Sequence, residues 1–389
     1  MTDFKPESFI NKHVADMEPS GIRKFFDIVN TMEGAISLGV GEPDFVTPWH
    51  IRDAAIYSLE RGKTWYTSNS GLMELREEIC NYLKRRFDLS YAVEETLVTV
   101  GGSEAVDLAI RTLISSGDEV LVPEPSFVCY KPCVTLAGGT AVPVVTKAEN
   151  EFKLTKEDLL GKITDKTKML VLSYPNNPTG AIMTKEELEE IAKIVIEKNI
   201  MVLSDEIYAE LTYEGEHTSI ASLPGMRDRT IVINGFSKAF AMTGWRLGFV
   251  AANKALVKAM TKVHQYAIMC APTASQFAAV EALKNGDESI EKMKNEYNYR
   301  RKLIVDGFNS LGLTCFDPKG AFYIFPSIKS TGYTSAEFCE KLLMSKKLAL
   351  VPGTAFGACG EGFVRVSYAY SIAQINEALD RLKEFMDEL

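Results

Sequence analysis

Residues 169–208 read MLVLSYPNNPTGAIMTKEELEEIAKIVIEKNIMVLSDEIY. The segment opens on one short apolar run, Met169 to Leu172, and closes near another, Ile200 to Leu203, each followed at once by polar residues. Runs this short and this apolar suit strands covered on both faces, as in a parallel sheet. Between them, Lys185 to Lys198 carries apolar residues at helical spacing behind Thr184, with Glu187 completing a capping box. Strand, helix and strand in succession make a βαβ unit, the building block of doubly wound sheets.

The alternation extends outward from this unit. Thr96 to Val100, Glu119 to Val122, Ala141 to Val145, Thr230 to Ile233 and Leu247 to Ala251 read as further buried strands, and Glu104 to Ile114 as another helix. From about Pro272 long helical patterns take over. Short strands follow at Leu313 to Phe316 and Ala321 to Phe325, then a helix from Ser335, a strand at Phe363 to Ser367 and a last helix from Ile372. The expected fold is α/β. A large domain with a mainly parallel doubly wound sheet spans 46–285, and 1–45 joins 286–389 in a smaller, discontinuous α+β domain.

With 389 residues, 46% of them hydrophobic, the chain is long enough to build its core without a disulfide or metal staple. Its 43 Lys+Arg against 52 Asp+Glu leave a net charge of −9, which argues against nucleic acid as a partner. No apolar run reaches the ~18 residues of a membrane span. The opening MTDFKPESFINKH has no apolar stretch of the secretory kind, so a cytoplasmic location is expected. The seven cysteines are scattered with no C-x-x-C pair and read as thiols. The four histidines show no metal-ligand spacing, so no metal is expected.

In an open parallel sheet, ligands sit beyond the carboxyl ends of the strands. After Val100 comes Gly101-Gly102-Ser103-Glu104, opening into a helix whose free N–H groups suit a phosphate, although a plain strand-to-helix turn uses glycine too. After Leu172 comes Ser173 to Gly180, a rigid turn that could also fix the Asn177 amide as a donor. Asp205 follows Leu203 and is either the cap of the next segment or a buried carboxylate that needs a cation. Lys238 lies in a loop of small and aromatic residues, with Arg246 eight positions on. It is either a solvated lysine or a desolvated amine able to attack carbonyls. Arg365, on one strand face with Phe363 and Ser367, suits either a carboxylate clamp or an interdomain ion pair.

Taken in order, these motifs resemble the class I and II aminotransferases, pyridoxal-phosphate enzymes of fold type I. The resemblance runs from Gly39-Val40-Gly41-Glu42-Pro43-Asp44-Phe45 to Phe363-Val364-Arg365-Val366-Ser367. It implies that Lys238 forms the internal aldimine with pyridoxal 5'-phosphate and serves as the base, and that Asp205 pairs with the ring nitrogen. Tyr208 and Asn177 would bond the ring's phenolic oxygen, and Phe127 would stack on the ring. The backbone of Gly102, Ser103 and Glu104, with Arg246 and Ser237, would hold the phosphate. Arg365 would grip the substrate carboxylate with Asn177 and the backbone of Gly41, and Tyr66 would reach the phosphate of a partner subunit in a homodimer.

The overall pattern is nearest the aromatic amino acid aminotransferases. The expected activity is therefore transfer of an amino group from an L-amino acid, aromatic by preference, to a 2-oxo acid such as 2-oxoglutarate. Phe26, Trp65, Phe127 and Tyr130 are the aromatic residues expected to border the site, and no second carboxylate-binding arginine is recognisable. Aspartate or alanine aminotransferase and a carbon–sulfur β-lyase are the alternatives. A transcriptional regulator built on the same fold is disfavoured, because the family pattern begins around Pro19-Ser20-Gly21-Ile22-Arg23.

Overall fold

A computed structural model of the chain describes residues 4–17 and 32–389. Its strands are β1 (Ile36–Ser37), β2 (Thr96–Thr99), β3 (Glu119–Glu124), β4 (Thr140–Val145), β5 (Thr167–Ser173), β6 (Met201–Asp205), β7 (Thr230–Gly235), β8 (Gly248–Ala251), β9 (Tyr323–Ile324), β10 (Leu348–Ala349), β11 (Val351–Pro352) and β12 (Val364–Ser367). A seven-stranded sheet takes the order β2-β8-β7-β6-β5-β3-β4. The expected α/β architecture is present, with helices such as Gly101–Leu113 and Lys185–Glu197 between strands. The second of these starts on the capping box read from sequence. The Glu187 amide donates to Thr184 Oγ1 at 3.3 Å, and the Thr184 amide donates to Glu187 Oε2 at 2.8 Å.

One strand breaks the parallel rule. β8 runs antiparallel to both β7 and β2, because the 236–247 connection from β7 holds no helix to carry the chain back across the sheet. Two reversals leave β2 pointing the same way as β7, β6, β5 and β3. The carboxyl ends of these strands therefore share one edge, where a ligand of an open sheet belongs.

A three-stranded antiparallel sheet, β11-β12-β9, and the parallel pair β1·β10 lie apart from the large sheet. Their apolar core joins Tyr297 and Phe308 of the helix Asp287–Ser310 to Phe322, Val364 and Val366. The strand expected at Leu313 to Phe316 is absent. There the Asn309 side chain takes both backbone groups of Cys315, accepting from its N–H at 2.9 Å and donating to its carbonyl at 3.2 Å, so those groups need no ladder partner.

Candidate active site

A cavity of about 320 Å³ opens at the shared strand edge. The helix after β2 begins at Gly101, three residues earlier than the sequence suggests, which places the amides of Gly102, Ser103 and Glu104 in its first turn. Gly101 sits at φ +80°, and a Cβ there would come within 2.7 Å of Arg246 Nη2. Glycine thus brings the guanidinium against the helix N-terminus, and Gly102, Ser103 and Arg246 line the cavity together with Ser237. The Glu104 side chain turns away from it. One carboxylate oxygen accepts from the Val100 amide, and the other lies 2.7 Å from Nδ1 of the fully buried His264.

The loop that carries Lys238 is pinned on the stretch that follows the lysine. Ala241 and Arg246 both lie at φ +52°, in the left-handed region. Thr47 helps to hold that shape, donating to the Ala241 carbonyl at 2.5 Å and accepting from Trp245 Nε1 at 3.0 Å. Lys238 Nζ donates to the Gly41 carbonyl at 2.7 Å and lies 5.8 Å from the Tyr208 ring centroid. Desolvation lowers its pKa to about 8, with Arg365 and Arg246 adding to the effect and Glu42 opposing it. The desolvated-amine reading of the sequence therefore describes this lysine better than the solvated one.

Asp205 ends β6, is 6% exposed, and has no cationic partner within ion-pair distance among the described residues. Its Oδ2 accepts from the Tyr130 hydroxyl at 2.7 Å, and its Oδ1 accepts from the Ile207 amide at 3.3 Å. The cap role and the buried-carboxylate role coexist. Burial raises its pKa to about 6, the Tyr130 bond lowers it, and neighbouring Glu206 raises it.

Arg365 is 3% exposed on β12. Its Nη1 donates to Asn177 Oδ1 at 2.9 Å and its Nη2 to the Gly39 carbonyl. The rings of Tyr323 and Phe356 lie 4.6 and 4.7 Å from the guanidinium carbon. No carboxylate pairs with it among the described residues, and its buried Nε has no partner. A buried cation without a counter-ion is costly, and a ligand carboxylate would supply one.

Gly41, Gly102, Ser103, Phe127, Asn177, Asp205, Tyr208, Ser237, Lys238, Arg246 and Arg365 thus converge on one cavity. Tyr66 does not join them: it is 76% exposed on the surface. Phe26 and the segment Pro19 to Arg23 lie outside the described residues. Sequence reasoning missed Tyr323 and Ser173, both in the cavity wall, and treated Tyr130 only as a bordering aromatic. Tyr323 sits in the apolar run Ala321 to Phe325, where nothing local separates it from a core aromatic.

The family model for aminotransferase class I and II matches residues 33–382. The YugH protein of Bacillus subtilis is 58% identical over 97% of this chain and 98% of its own length. The aspartate aminotransferase of Pyrococcus abyssi is 48% identical over 96% of this chain and 97% of its own. Among solved structures, the aromatic aminotransferase of Pyrococcus horikoshii matches with a TM-score of 0.90 at 46% identity, covering 94% of this chain and 99% of that one.

Proposed function

The chain belongs to the class I and II aminotransferases, fold-type I enzymes that use pyridoxal 5'-phosphate, and on that premise we propose that it moves the amino group of an aromatic or other large apolar L-amino acid to 2-oxoglutarate. The residues present fit the cofactor. A helix N-terminus beside Arg246 suits its phosphate, a lysine with pKa about 8 suits its carbonyl, and Asp205, with no cationic partner among the described residues, suits a protonated ring nitrogen. Bound pyridoxal phosphate supplies an electron sink for the bond that breaks at the substrate Cα.

The chain's own residues would do the rest. Lys238 Nζ carries a proton to and from the substrate Cα. Asp205 keeps the ring nitrogen protonated. Tyr208 and Asn177 donate to the ring's oxygen, and Phe127 covers the ring face. Gly102, Ser103, Glu104 through its amide, Ser237 and Arg246 hold the phosphate. Arg365, with Asn177 and the Gly41 backbone, orients the substrate through its carboxylate.

The preference for an apolar donor rests chiefly on one observation. The cationic side chains lining the cavity, among the described residues, are Lys238, Arg246 and Arg365. With two assigned to the cofactor and one to the α-carboxylate, none of the described cavity cations is left for a carboxylate on the substrate side chain. An acidic donor is the second reading, favoured by the identity with the Pyrococcus abyssi enzyme. A donor panel with 2-oxoglutarate decides between them: phenylalanine and tyrosine should lead in kcat/KM, and aspartate or alanine leading would refute the apolar preference. Pyruvate with ammonia from a cysteine conjugate, in place of transamination, would point to a β-lyase.

A homodimer belongs to the same proposal. Trp65 and Tyr66 project from a loop, and Met73 from the start of the helix that follows it; the loop is tethered to 269–273 by Asn69, which donates to the Met269 carbonyl, and Thr273, which donates to the Trp65 carbonyl. Tyr266 and Met269 add to the exposed apolar surface there. Tyr66 on that face would reach the partner's phosphate. Sedimentation at the monomer mass would refute this. No helix among the described residues is long and apolar enough to cross a membrane, and the location we propose is cytoplasmic.

A further inference from the structure

Tyr323, on β9, is a cavity residue to which the proposed reaction gives no role. It is 1% exposed, and three features meet on it. Its hydroxyl lies 2.8 Å from the Tyr208 hydroxyl. The Arg365 guanidinium carbon lies 4.6 Å from its ring centroid. A Cβ on Gly41, the residue whose carbonyl accepts from Lys238, would overlap its hydroxyl. One phenol therefore touches the elements that carry the carboxylate-binding arginine, the lysine's acceptor and Tyr208.

Two hydroxyls at 2.8 Å share a single proton, so one must donate and the other accept. Were Tyr208 the donor, its O–H would be committed to Tyr323 and lost to the cavity. With Tyr323 as donor, Tyr208 accepts there and keeps its own O–H for an acceptor in the cavity. The Arg365 cation, 4.6 Å from the Tyr323 ring against 5.8 Å for Lys238 from the Tyr208 ring, favours Tyr323 as the donor, because a nearby positive charge favours the build-up of negative charge on the phenol oxygen and makes the O–H a better donor. The same charge pulls the Tyr323 pKa down against the burial that raises it.

We propose that Tyr323 is a positioning residue that turns the Tyr208 O–H into the cavity and ties its strength as a donor to the charge at Arg365. A carboxylate arriving on Arg365 neutralises that charge, weakens the Tyr323 donation and, through it, the Tyr208 bond to the ring's oxygen. The inference rests on the cofactor reading above. The charged and titratable groups around the two hydroxyls are Arg365, Lys238, Asp205, Tyr297 and Tyr370, and replacing Tyr323 by phenylalanine leaves all of them in place.

The test compares wild type, Tyr323→Phe and Tyr208→Phe, each loaded with pyridoxal phosphate. The visible absorption is titrated against pH with and without 3-phenylpropionate, a carboxylate that lacks the reacting amine. A donor on the ring's oxygen favours the form in which that oxygen is negative and the neighbouring nitrogen has lost its proton, so weakening the donor raises the midpoint. Tyr323→Phe should raise it by about half to one pH unit, in the same direction as Tyr208→Phe. The further rise that phenylpropionate causes in wild type should shrink in the variant. A variant that loses only thermal stability or cofactor loading, with both shifts as in wild type, overturns the proposal. A wild type with no visible band after loading overturns the cofactor reading, and this inference with it.

Discussion

Replacing Arg365 by lysine keeps the positive charge and removes the fork. The guanidinium is buried, with Nη1 on Asn177 at 2.9 Å, Nη2 on the Gly39 carbonyl, and aromatic rings on its flanks at 4.6 and 4.7 Å. A lysine ammonium is a point donor on a flexible stem: its three N–H groups radiate from one nitrogen, so it cannot hold both of those acceptors and also present two parallel N–H groups to a carboxylate. A charge-assisted two-pronged contact is worth about 1.5–3 kcal/mol, which converts to a loss of roughly tenfold to more than a hundredfold in kcat/KM. Burial means that little of this is screened. Steady-state assays with phenylalanine and 2-oxoglutarate should show the loss for both substrates, largely through KM, with cofactor loading unchanged. For wild type, 2-phenylethylamine, which lacks the carboxylate, should be a poor donor, and the variant should treat it no worse. An unchanged kcat/KM in Arg365→Lys, or an amine that reacts as well as the amino acid in wild type, refutes the clamp.

Two other outcomes follow from the titrating groups. Lys238 is held down to about 8 by desolvation, so its neutral amine prevails above that pH. The rate at which cofactor-free protein takes up pyridoxal phosphate should climb through about pH 8 and then level off. A climb that continues towards the ordinary lysine value of 10.5 contradicts the desolvated site. Asp205, raised to about 6, loses its charge as pH falls through that value, and cofactor affinity should weaken with it. Because the Tyr130 hydrogen bond favours the carboxylate, Tyr130→Phe should move that weakening upward by about one to two pH units. An affinity profile superimposable on wild type would deny Tyr130 that influence.

The central strands of the large sheet were legible because they are buried on both faces, so Leu170 to Leu172 and Val202 to Leu203 carry no polar residue to confuse the reading; the run Ala141 to Val145, expected to be buried, is instead the edge strand β4, where only Val144 is fully buried. Direction was not legible. The run Leu247 to Ala251 looks the same whichever way it points, and only the helix-free connection through Lys238 turns it antiparallel. Residues at or just past the end of a strand, such as Asp205 and Asn177, were found because sheet geometry says where to look. Those that act from a distance in sequence left no local trace: Tyr130 reaches Asp205 across 75 positions, and Tyr323 meets Tyr208 across 115. Gly41 and Tyr66 came only from the family resemblance, since neither follows a strand of the large sheet.

Lys238 is the residue on which the cofactor chemistry is expected to take place. Treating the cofactor-loaded protein with borohydride fixes a reducible bond between lysine and pyridoxal phosphate, and mapping the peptides by mass then locates it. A single labelled site is expected, Lys238, in the tryptic peptide that begins at Thr230, with no label in Lys238→Ala. Label on a different lysine, or a wild type that takes none, would contradict it.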